Sequence, residues 1–339
     1  MKSILVTGAA GFIGYHLCER LIKIGYTVIG LDNLNDYYDV NLKIDRLKEL
    51  GINSVSANEI VFSTKHGDKF QFVKIDIEDC ENLQRLFNQF QFDVVCNLAA
   101  QAGVRYSIEE PKVYVDTNIV GFMNLLECMR QYNVKKLVYA SSSSVYGNNA
   151  KIPFGINDKV DEPISLYAAS KKANELMAHT YSHLFDIETI GLRFFTVYGP
   201  WGRPDMAMYL FTDAILNDRP IKVFNNGELF RDFTYIDDII NGVIATIEKE
   251  LHSKKKYRIY NIGNGNSVKL IDFIEAIENY IGKKALKENL PMQPGDVSKT
   301  WADLSELNKD YNYKPQVSVK QGIGNFIEWF KDYYNVVNQ

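Results

Sequence analysis

Cysteine is scarce in this chain, and none of it is spaced for chemistry. Cys18, Cys80, Cys96 and Cys128 are the only four in 339 residues, with no CxxC pair. That excludes a disulfide framework and a cysteine-based zinc site, and suits reduced thiols. Histidine is nearly as rare, with five residues. His179 and His183 stand four apart, but no glutamate is placed as in HExxH, so they read as solvated helix residues and no metal is expected. Excess charge is missing too. A net charge of −4 leaves no basic footprint for nucleic acid. No apolar run is long enough to span a bilayer, so no membrane partner is expected. Met1-Lys2-Ser3 leads directly into an apolar strand, so no signal peptide is read and the expected location is cytoplasmic. No internal repeat or low-complexity segment stands out.

Glycine, by contrast, falls into a pattern. Thr7-Gly8-Ala9-Ala10-Gly11-Phe12-Ile13-Gly14 follows the apolar run Ile4-Leu5-Val6 and opens an amphipathic stretch from Phe12 to Ile24. Strand, glycine turn and helix in that order place backbone N–H groups and a helix N-terminus where a pyrophosphate can sit. Gly8 can make the tight turn, Gly11 can admit the phosphates, and Gly14 can let helix and strand pack closely. The spacing, GxxGxxG, is one residue wider than the common GxGxxG, and glycines also mark ordinary turns. The next apolar run, Thr27 to Leu31, ends on Asp32. A carboxylate there can accept from both hydroxyls of an adenosine ribose and would repel a 2′-phosphate, which favours NAD over NADP. The other reading of Asp32 is a helix cap.

Apolar strands alternate with helical patterns through the first half. Strands are expected at 3–7, 27–31, 70–75, 93–97, 136–140 and 187–193, and helices at 12–24, 37–50, 79–90, 112–132 and 166–184. This is the signature of an α/β fold, a doubly wound parallel sheet of Rossmann type covered on both faces. Residues 53–69 read as a polar, irregular surface insertion. The alternation stops near Thr196, where Pro200, Gly202 and Pro204 mark a loop. The chain is long enough for a nucleotide-binding domain, 1–195, and a smaller mixed α/β domain, 196–232 and 264–339. Residues 233–263 read as helix then strand and are expected to return to the first domain. A ligand would sit in the crevice between the two.

Two further elements carry chemistry. Tyr167 and Lys171 form a YxxxK pair at the start of a helical pattern, so phenol and ammonium share one face. A tyrosine near pKa ~10 is a poor base at neutral pH, and an adjacent ammonium together with a positive nicotinamide ring favours its phenolate. An exposed helix pair is the plain alternative. About 25 residues earlier, Ala140-Ser141-Ser142-Ser143-Ser144-Val145-Tyr146-Gly147 ends an apolar strand. Hydroxyls at the carboxyl end of a parallel strand point into the ligand crevice, where one can pass a substrate proton to the tyrosine.

These motifs in this order, with Asn97-Leu98-Ala99-Ala100 between them, resemble the extended short-chain dehydrogenase/reductase superfamily, essentially end to end. Within it the chain is similar to nucleotide-sugar 4-epimerases, above all to those that act on UDP-glucuronate. Four segments carry that finer resemblance: Asp32 to Asp39, Ala100 to Ser107, Leu192 to Met206 and Pro291 to Val297. The resemblance implies NAD-dependent 4-epimerisation of UDP-glucuronate to UDP-galacturonate through a transient 4-keto sugar, in surface-polysaccharide synthesis. Epimerisation of another UDP-sugar and a non-catalytic NAD sensor are the alternatives. A sensor would not need Ser, Tyr and Lys together.

By position, the resemblance assigns Ser142, Tyr167 and Lys171 as catalytic residues. It assigns Gly8, Gly11, Phe12, Ile13, Gly14, Asp32, Asn33, Asp76, Ile77, Leu98, Ala99 and Ala100 to NAD, with Asp76-Ile77 beside the adenine. Arg231 is matched to the UDP diphosphate and Asp296 to the uridine ribose. A guanidinium fork grips phosphate oxygens bidentately, while the plain reading of Arg231 is an ion pair with Asp232. Ser143, Ser144, Thr196 and Arg203 are candidates to grip a sugar carboxylate, with Arg105 as a competitor. UDP-galactose 4-epimerases usually carry Asn at Thr196 and Arg at Gln293, so both positions suit a uronate. The 4,6-dehydratases need Asp-Glu where this chain has Ser143-Ser144, and UDP-glucuronate decarboxylases usually carry Glu at Ser144. Helices 112–132 and 166–184 hold more apolar surface than one sheet face needs, and the resemblance implies a homodimer through them.

Overall fold

The computed structural model describes residues 2–251, 254–293 and 295–336; Met1 and Pro294, both read above, lie outside the described residues. Ile4, Leu5 and Val6 are fully buried, as a parallel strand covered on both faces requires. Eight strands form one sheet in the order Tyr257–Ile262, Glu188–Phe194, Lys136–Ser142, Val94–Asn97, Ser3–Thr7, Thr27–Asp32, Gly67–Lys74 and Ile60–Ser63. Every neighbouring pair is parallel except the last. The strand order reverses between Ser3–Thr7 and Val94–Asn97, so a crevice opens at their carboxyl ends, where ligands of such sheets bind. This is a Rossmann-type fold. Helices Phe12–Lys23 and Ile236–Glu248 pack together on one face; Cys80–Gln89, Phe122–Gln131 and Leu166–Phe185 cover the other.

Short strand pairs build the rest. Thr196–Tyr198 lies parallel to Phe233–Tyr235, Ile221–Phe224 parallel to Lys287–Leu290, and Phe230–Arg231 antiparallel to Val268–Lys269. Helices Ala207–Leu216, Leu270–Ile281 and Val319–Tyr333 pack around them. The chain leaves the sheet after Phe194, returns for Tyr257–Ile262, and leaves again.

Three local expectations are corrected. The helix expected at 37–50 begins at Val40, because the Asp39 carboxylate caps it by accepting from the Asn41 N–H. Tyr37 and Tyr38 therefore stay outside the helix. The insertion at 53–69 contains the strand Ile60–Ser63, antiparallel to Gly67–Lys74. Its β-branched and aromatic residues outweigh the polar chain around them. The helix expected at 112–132 is broken: α-helical turns Pro111–Val115 and Phe122–Gln131 flank a π-helical segment, Asp116–Gly121. Such wide turns recur at functional sites, and here it aims the Asn118 amide inward. That amide accepts from the Gln101 N–H at 2.8 Å and donates to the Gln101 carbonyl at 3.0 Å and to the Ser170 hydroxyl at 2.9 Å. It ties the loop after Val94–Asn97 to the helix that carries Tyr167.

A buried ion pair fixes that helix to the sheet. Glu175, on Leu166–Phe185, accepts from Arg193 Nε at 2.8 Å and Nη2 at 2.9 Å, and from the Ser141 hydroxyl at 2.7 Å. Arg193 Nη1 donates to the Tyr146 hydroxyl at 2.9 Å; Tyr146 donates to Asn261 Oδ1 at 2.7 Å, and Asn261 to the Phe154 carbonyl at 2.7 Å. Glu175 is 1 % and Arg193 3 % exposed. Removing one partner strands the other charge away from water. Glu175→Ala should cost about 3–5 kcal/mol, read as a lower urea midpoint with an unchanged slope. A loss below about 1 kcal/mol would show the pair to be dispensable.

Candidate active site

One cleft of about 1220 Å³ runs from the glycine turn across the ends of the strands to the short strand pairs. Every candidate residue named from the sequence lines it except Asp76. Asp76 sits just behind, where it accepts from Asn33 Nδ2 at 3.2 Å and from the Glu78 N–H at 3.2 Å. It acts on the cleft through Asn33.

The floor at one end is backbone. Gly8 has φ +70°, and a Cβ on it would fall 2.8 Å from the Ala99 nitrogen. A Cβ on Gly14 would fall 2.0 Å from the Gly8 carbonyl oxygen. Neither position tolerates a side chain, so the turn presses bare against Leu98-Ala99. The helix beginning at Phe12 has no side-chain cap, which leaves its first N–H groups for a ligand anion. Asp32 ends its strand and accepts from the Ala10 N–H at 3.1 Å and the Leu34 N–H at 2.8 Å. Its helix-cap reading does not apply, since Asp39 caps the helix that follows. A glycine cradle, an uncapped helix start and a fixed carboxylate at the strand end suit a dinucleotide such as NAD.

Arg46 makes this end rigid. It is fully buried and was not identified from the sequence. Nη1 donates to the Ala10 carbonyl at 2.9 Å and the Tyr38 hydroxyl at 2.6 Å; Nη2 donates to the Trp201 carbonyl at 2.6 Å. One guanidinium thus joins the glycine turn to the loop that carries Arg203. His16 supports the same loop, with Nε2 2.9 Å from the Pro200 carbonyl. Burial pushes the His16 pKa down to about 4, so this ring stays neutral. Lys43, also missed, is buried at the cleft wall and donates to Asn35.

At the centre stand Ser142, Tyr167 and Lys171. Ser165 caps the tyrosine's helix, accepting from the Ala168 N–H, so Tyr167 falls in its first turn. The Ser142 oxygen accepts from the Ser144 N–H at 3.1 Å, and its hydroxyl donates to the Ser144 hydroxyl at 3.1 Å. Lys171 Nζ donates to the Ala140 carbonyl at 2.9 Å and lies 6.0 Å from the Tyr167 ring centre. The sequence suggested that this ammonium would favour the phenolate. The balance here is different. Burial raises the Tyr167 pKa, and the opposing influences are the Ser142 hydroxyl and the Arg203 charge, not Lys171. Lys171 is itself pushed down to about 8 by burial. Distance and desolvation both weaken the lysine's pull.

The far end is cationic. Arg231 donates to the Phe230 carbonyl at 2.9 Å. The expected alternative, an ion pair with Asp232, is absent because Asp232 is fully buried and otherwise engaged. It accepts from the N–H groups of Asn264, Gly265 and Ala302 and from the Thr234 hydroxyl. Asp296 faces two guanidiniums instead: Arg105 at 3.2 Å, and Arg231, whose charge it favours. Two cations and one anion leave this end able to hold a diphosphate. Ser143, Ser144, Thr196 and Arg203 line the same cleft. Arg203 is already paired, its Nε 2.9 Å from Asp205 Oδ1. Among the described residues no cluster of His, Cys, Asp and Glu could hold a metal ion, and no helix is long and apolar enough to cross a membrane.

Residues 4–263 match the family described as NAD dependent epimerase/dehydratase. Protein CapI of Staphylococcus aureus is 50 % identical over 345 aligned positions, covering 98 % of this chain and 99 % of that protein. A UDP-glucuronate 4-epimerase of Thermodesulfobacterium geofontis is 45 % identical, covering 98 % and 97 %. Among solved structures, the UDP-glucuronic acid 4-epimerase of Bacillus cereus, in complex with UDP-glucuronic acid and NAD, superimposes with a TM-score of 0.87 at 36 % identity, covering 98 % of this chain and all of that one.

The lysine's burial has a measurable signature. Its folded pKa of about 8 lies below the ordinary lysine value of 10.5, so the unfolded chain holds the proton more tightly between these values. Stability should therefore rise as pH climbs from about 8 toward 10.5. In cofactor-free protein, Lys171→Met should raise stability at pH 7 by about 1–3 kcal/mol. That gain should fade by pH 10.5. A gain independent of pH across calorimetric scans would contradict it.

Proposed function

The chain belongs to the NAD dependent epimerase/dehydratase family, and we propose that it interconverts UDP-glucuronate and UDP-galacturonate. The observation that carries this reading is one cleft holding Ser142, Tyr167 and Lys171 between a dinucleotide cradle and a cationic end, with hydroxyls and Arg203 in the same lining. Gly8, Gly11, Phe12, Ile13 and Gly14 would hold the NAD pyrophosphate, Asp32 and Asn33 its adenosine ribose, and Ile77, with Asp76 behind, its adenine. Leu98, Ala99 and Ala100 would flank its nicotinamide half. When bound, NAD supplies a reversible hydride acceptor and a positive ring. Arg231, Arg105 and Asp296 would anchor UDP. Tyr167, helped by Ser142, takes the proton of the sugar's C4 hydroxyl, and C4 becomes a ketone. The sugar turns while UDP stays anchored, and Tyr167 returns the proton after reduction from the other face. Lys171, held to the strand end through the Ala140 carbonyl, would complete the set of polar groups beside the reacting sugar.

A 4-keto uronate is a β-keto acid and loses CO2 readily, so its carboxylate must be held away from the orientation for loss. Ser143, Ser144, Thr196 and Arg203 take that role. None of these hydroxyls exchanges protons as the carboxylic acids of dehydratases and decarboxylases do. The expected setting is cytoplasmic polysaccharide synthesis, which suits four unpaired thiols. The first domain comprises 1–195 with 233–263, and the UDP-sugar domain 196–232 with 264–339.

Incubation with UDP-glucuronate, followed by NMR of the sugar, should give UDP-galacturonate without added cofactor. Conversion only of a neutral UDP-sugar, or a need for added NADPH, would overturn the reading. Tyr167→Phe should keep binding nearly normal and slow turnover about 10²–10⁴-fold. The same reading includes a homodimer. Val115, Val120 and Met123 on one helical stretch, and Leu176 and Leu184 on Leu166–Phe185, are apolar and exposed, as a helix-to-helix dimer face would be. Light scattering at micromolar concentration should give twice the chain mass. A monomer mass would count against it.

A further inference from the structure

Arg203 does not stand free in the cleft. Its Nε lies 2.9 Å from Asp205 Oδ1, and its Nη2 meets Asp205 Oδ2. The same Oδ2 accepts from the Tyr37 hydroxyl at 3.2 Å. The guanidinium also lies over the Tyr37 ring, 5.6 Å from its centre. Tyr37 therefore touches both members of the pair, one through its hydroxyl and the other through its face. It comes from a different part of the chain, five residues beyond Asp32 on the loop that precedes the Asp39 cap.

The tyrosine itself is held. Its ring packs at 5.0 Å against Tyr106. A Cβ at Gly103, where φ is +108°, would fall 2.7 Å from its hydroxyl oxygen. A side chain there would expel the phenol from its place. Burial pushes the Tyr37 pKa up to about 12, so the hydroxyl remains a donor. Burial also raises Asp205, but the Arg203 charge and the two hydrogen bonds outweigh it and hold that carboxyl below the usual range. Neutral donor, anion and cation are thus fixed in sequence along one wall of the cleft.

We propose that Tyr37 and Asp205 are positioning residues that hold Arg203 in one orientation for the sugar carboxylate, and so set the preference for uronates. This rests on the proposed epimerase activity. An arginine side chain loses much rotamer freedom when it is pinned. Here Asp205 and the Tyr37 ring remove that freedom before the sugar arrives, so a planar carboxylate meets a guanidinium already oriented. Because Tyr37 sits on the loop after Asp32, the grip on the sugar is built on the same backbone as the proposed cofactor-ribose contact.

Tyr37→Phe keeps the ring and removes the hydroxyl bond; Asp205→Asn keeps the shape and removes the charge. Each should raise KM for UDP-glucuronate about 5- to 10-fold with a smaller change in kcat. Each should also increase the share of UDP-4-ketopentose in the product. Affinity for UDP and for UDP-glucose, measured by calorimetry, should stay within about twofold. A wild-type protein that does not turn over UDP-glucuronate would overturn the epimerase reading and this inference with it. With the wild type active, equal losses for charged and neutral ligands would overturn the positioning role alone, as would an unchanged product ratio. A lower KM in Asp205→Asn would also overturn it, since Asp205 would then be competing with the sugar carboxylate.

Discussion

The Glu175–Arg193 pair decides where the chemistry can happen. The Lys136–Ser142 strand brings Ser142, and the Leu166–Phe185 helix brings Tyr167 and Lys171. Without a strong link between strand and helix, hydroxyl and phenol would share a cleft but not a position. Glu175 supplies the link by holding Ser141 with one oxygen while Arg193 grips it from the next strand. Taking a guanidinium and a carboxylate out of water is costly, and apolar residues of similar volume often do as well for stability alone. The gain here is orientation, since four elements meet around one planar fork. Asn118 performs the same service with a neutral amide on the opposite side of the helix.

A second cation organises the cleft's other axis. Arg46 has two carbonyls and the Tyr38 hydroxyl for partners where Arg193 has a carboxylate, and its Nε has no partner among the described residues. It gives the glycine turn and the 199–206 loop a common anchor, and Trp201 adds an aromatic one through Trp329 and Tyr333. The loop that carries Arg203 is therefore not free. It is fastened at Arg46, at His16 and at Tyr37, all of them on the cofactor side.

Most of the central sheet could be read from the chain, because buried parallel strands are continuous apolar runs and helices between them keep their period. The glycine turn could be read because its spacing has a mechanical meaning that few other structures share. The serines at a strand end and the shared helix face of Tyr167 and Lys171 were legible by the same logic, while the choice of Ser142 among those serines rested on the family resemblance. What stayed hidden depends on partners distant in sequence. Nothing near Arg46 in the chain reveals that its fork will meet Ala10 and Trp201. The π-helical turn at Asp116–Gly121 reflects the needs of Gln101 and Ser170, not its own composition. Spacing places Lys171 on the same helix face as Tyr167, but only the packed structure shows its ammonium turned to the Ala140 carbonyl. Ile60–Ser63 was lost among polar neighbours, although three residues of high β-propensity, Ile60, Val61 and Phe62, were there to be seen.

The path of the chain also bears on its synthesis. Glu188–Phe194 is flanked on one side by Lys136–Ser142 and on the other by Tyr257–Ile262. A growing chain that has completed the first of these pairings still presents an open strand edge while the intervening segment is being made. Exposed edges invite pairing with other chains, and domains tend to fold as they emerge. The nascent protein therefore passes through a stage with most of its sheet formed and Glu188–Phe194 at the edge, a place that Tyr257–Ile262 takes in the finished fold. That stage ends only when the ribosome has released residues well beyond Ile262.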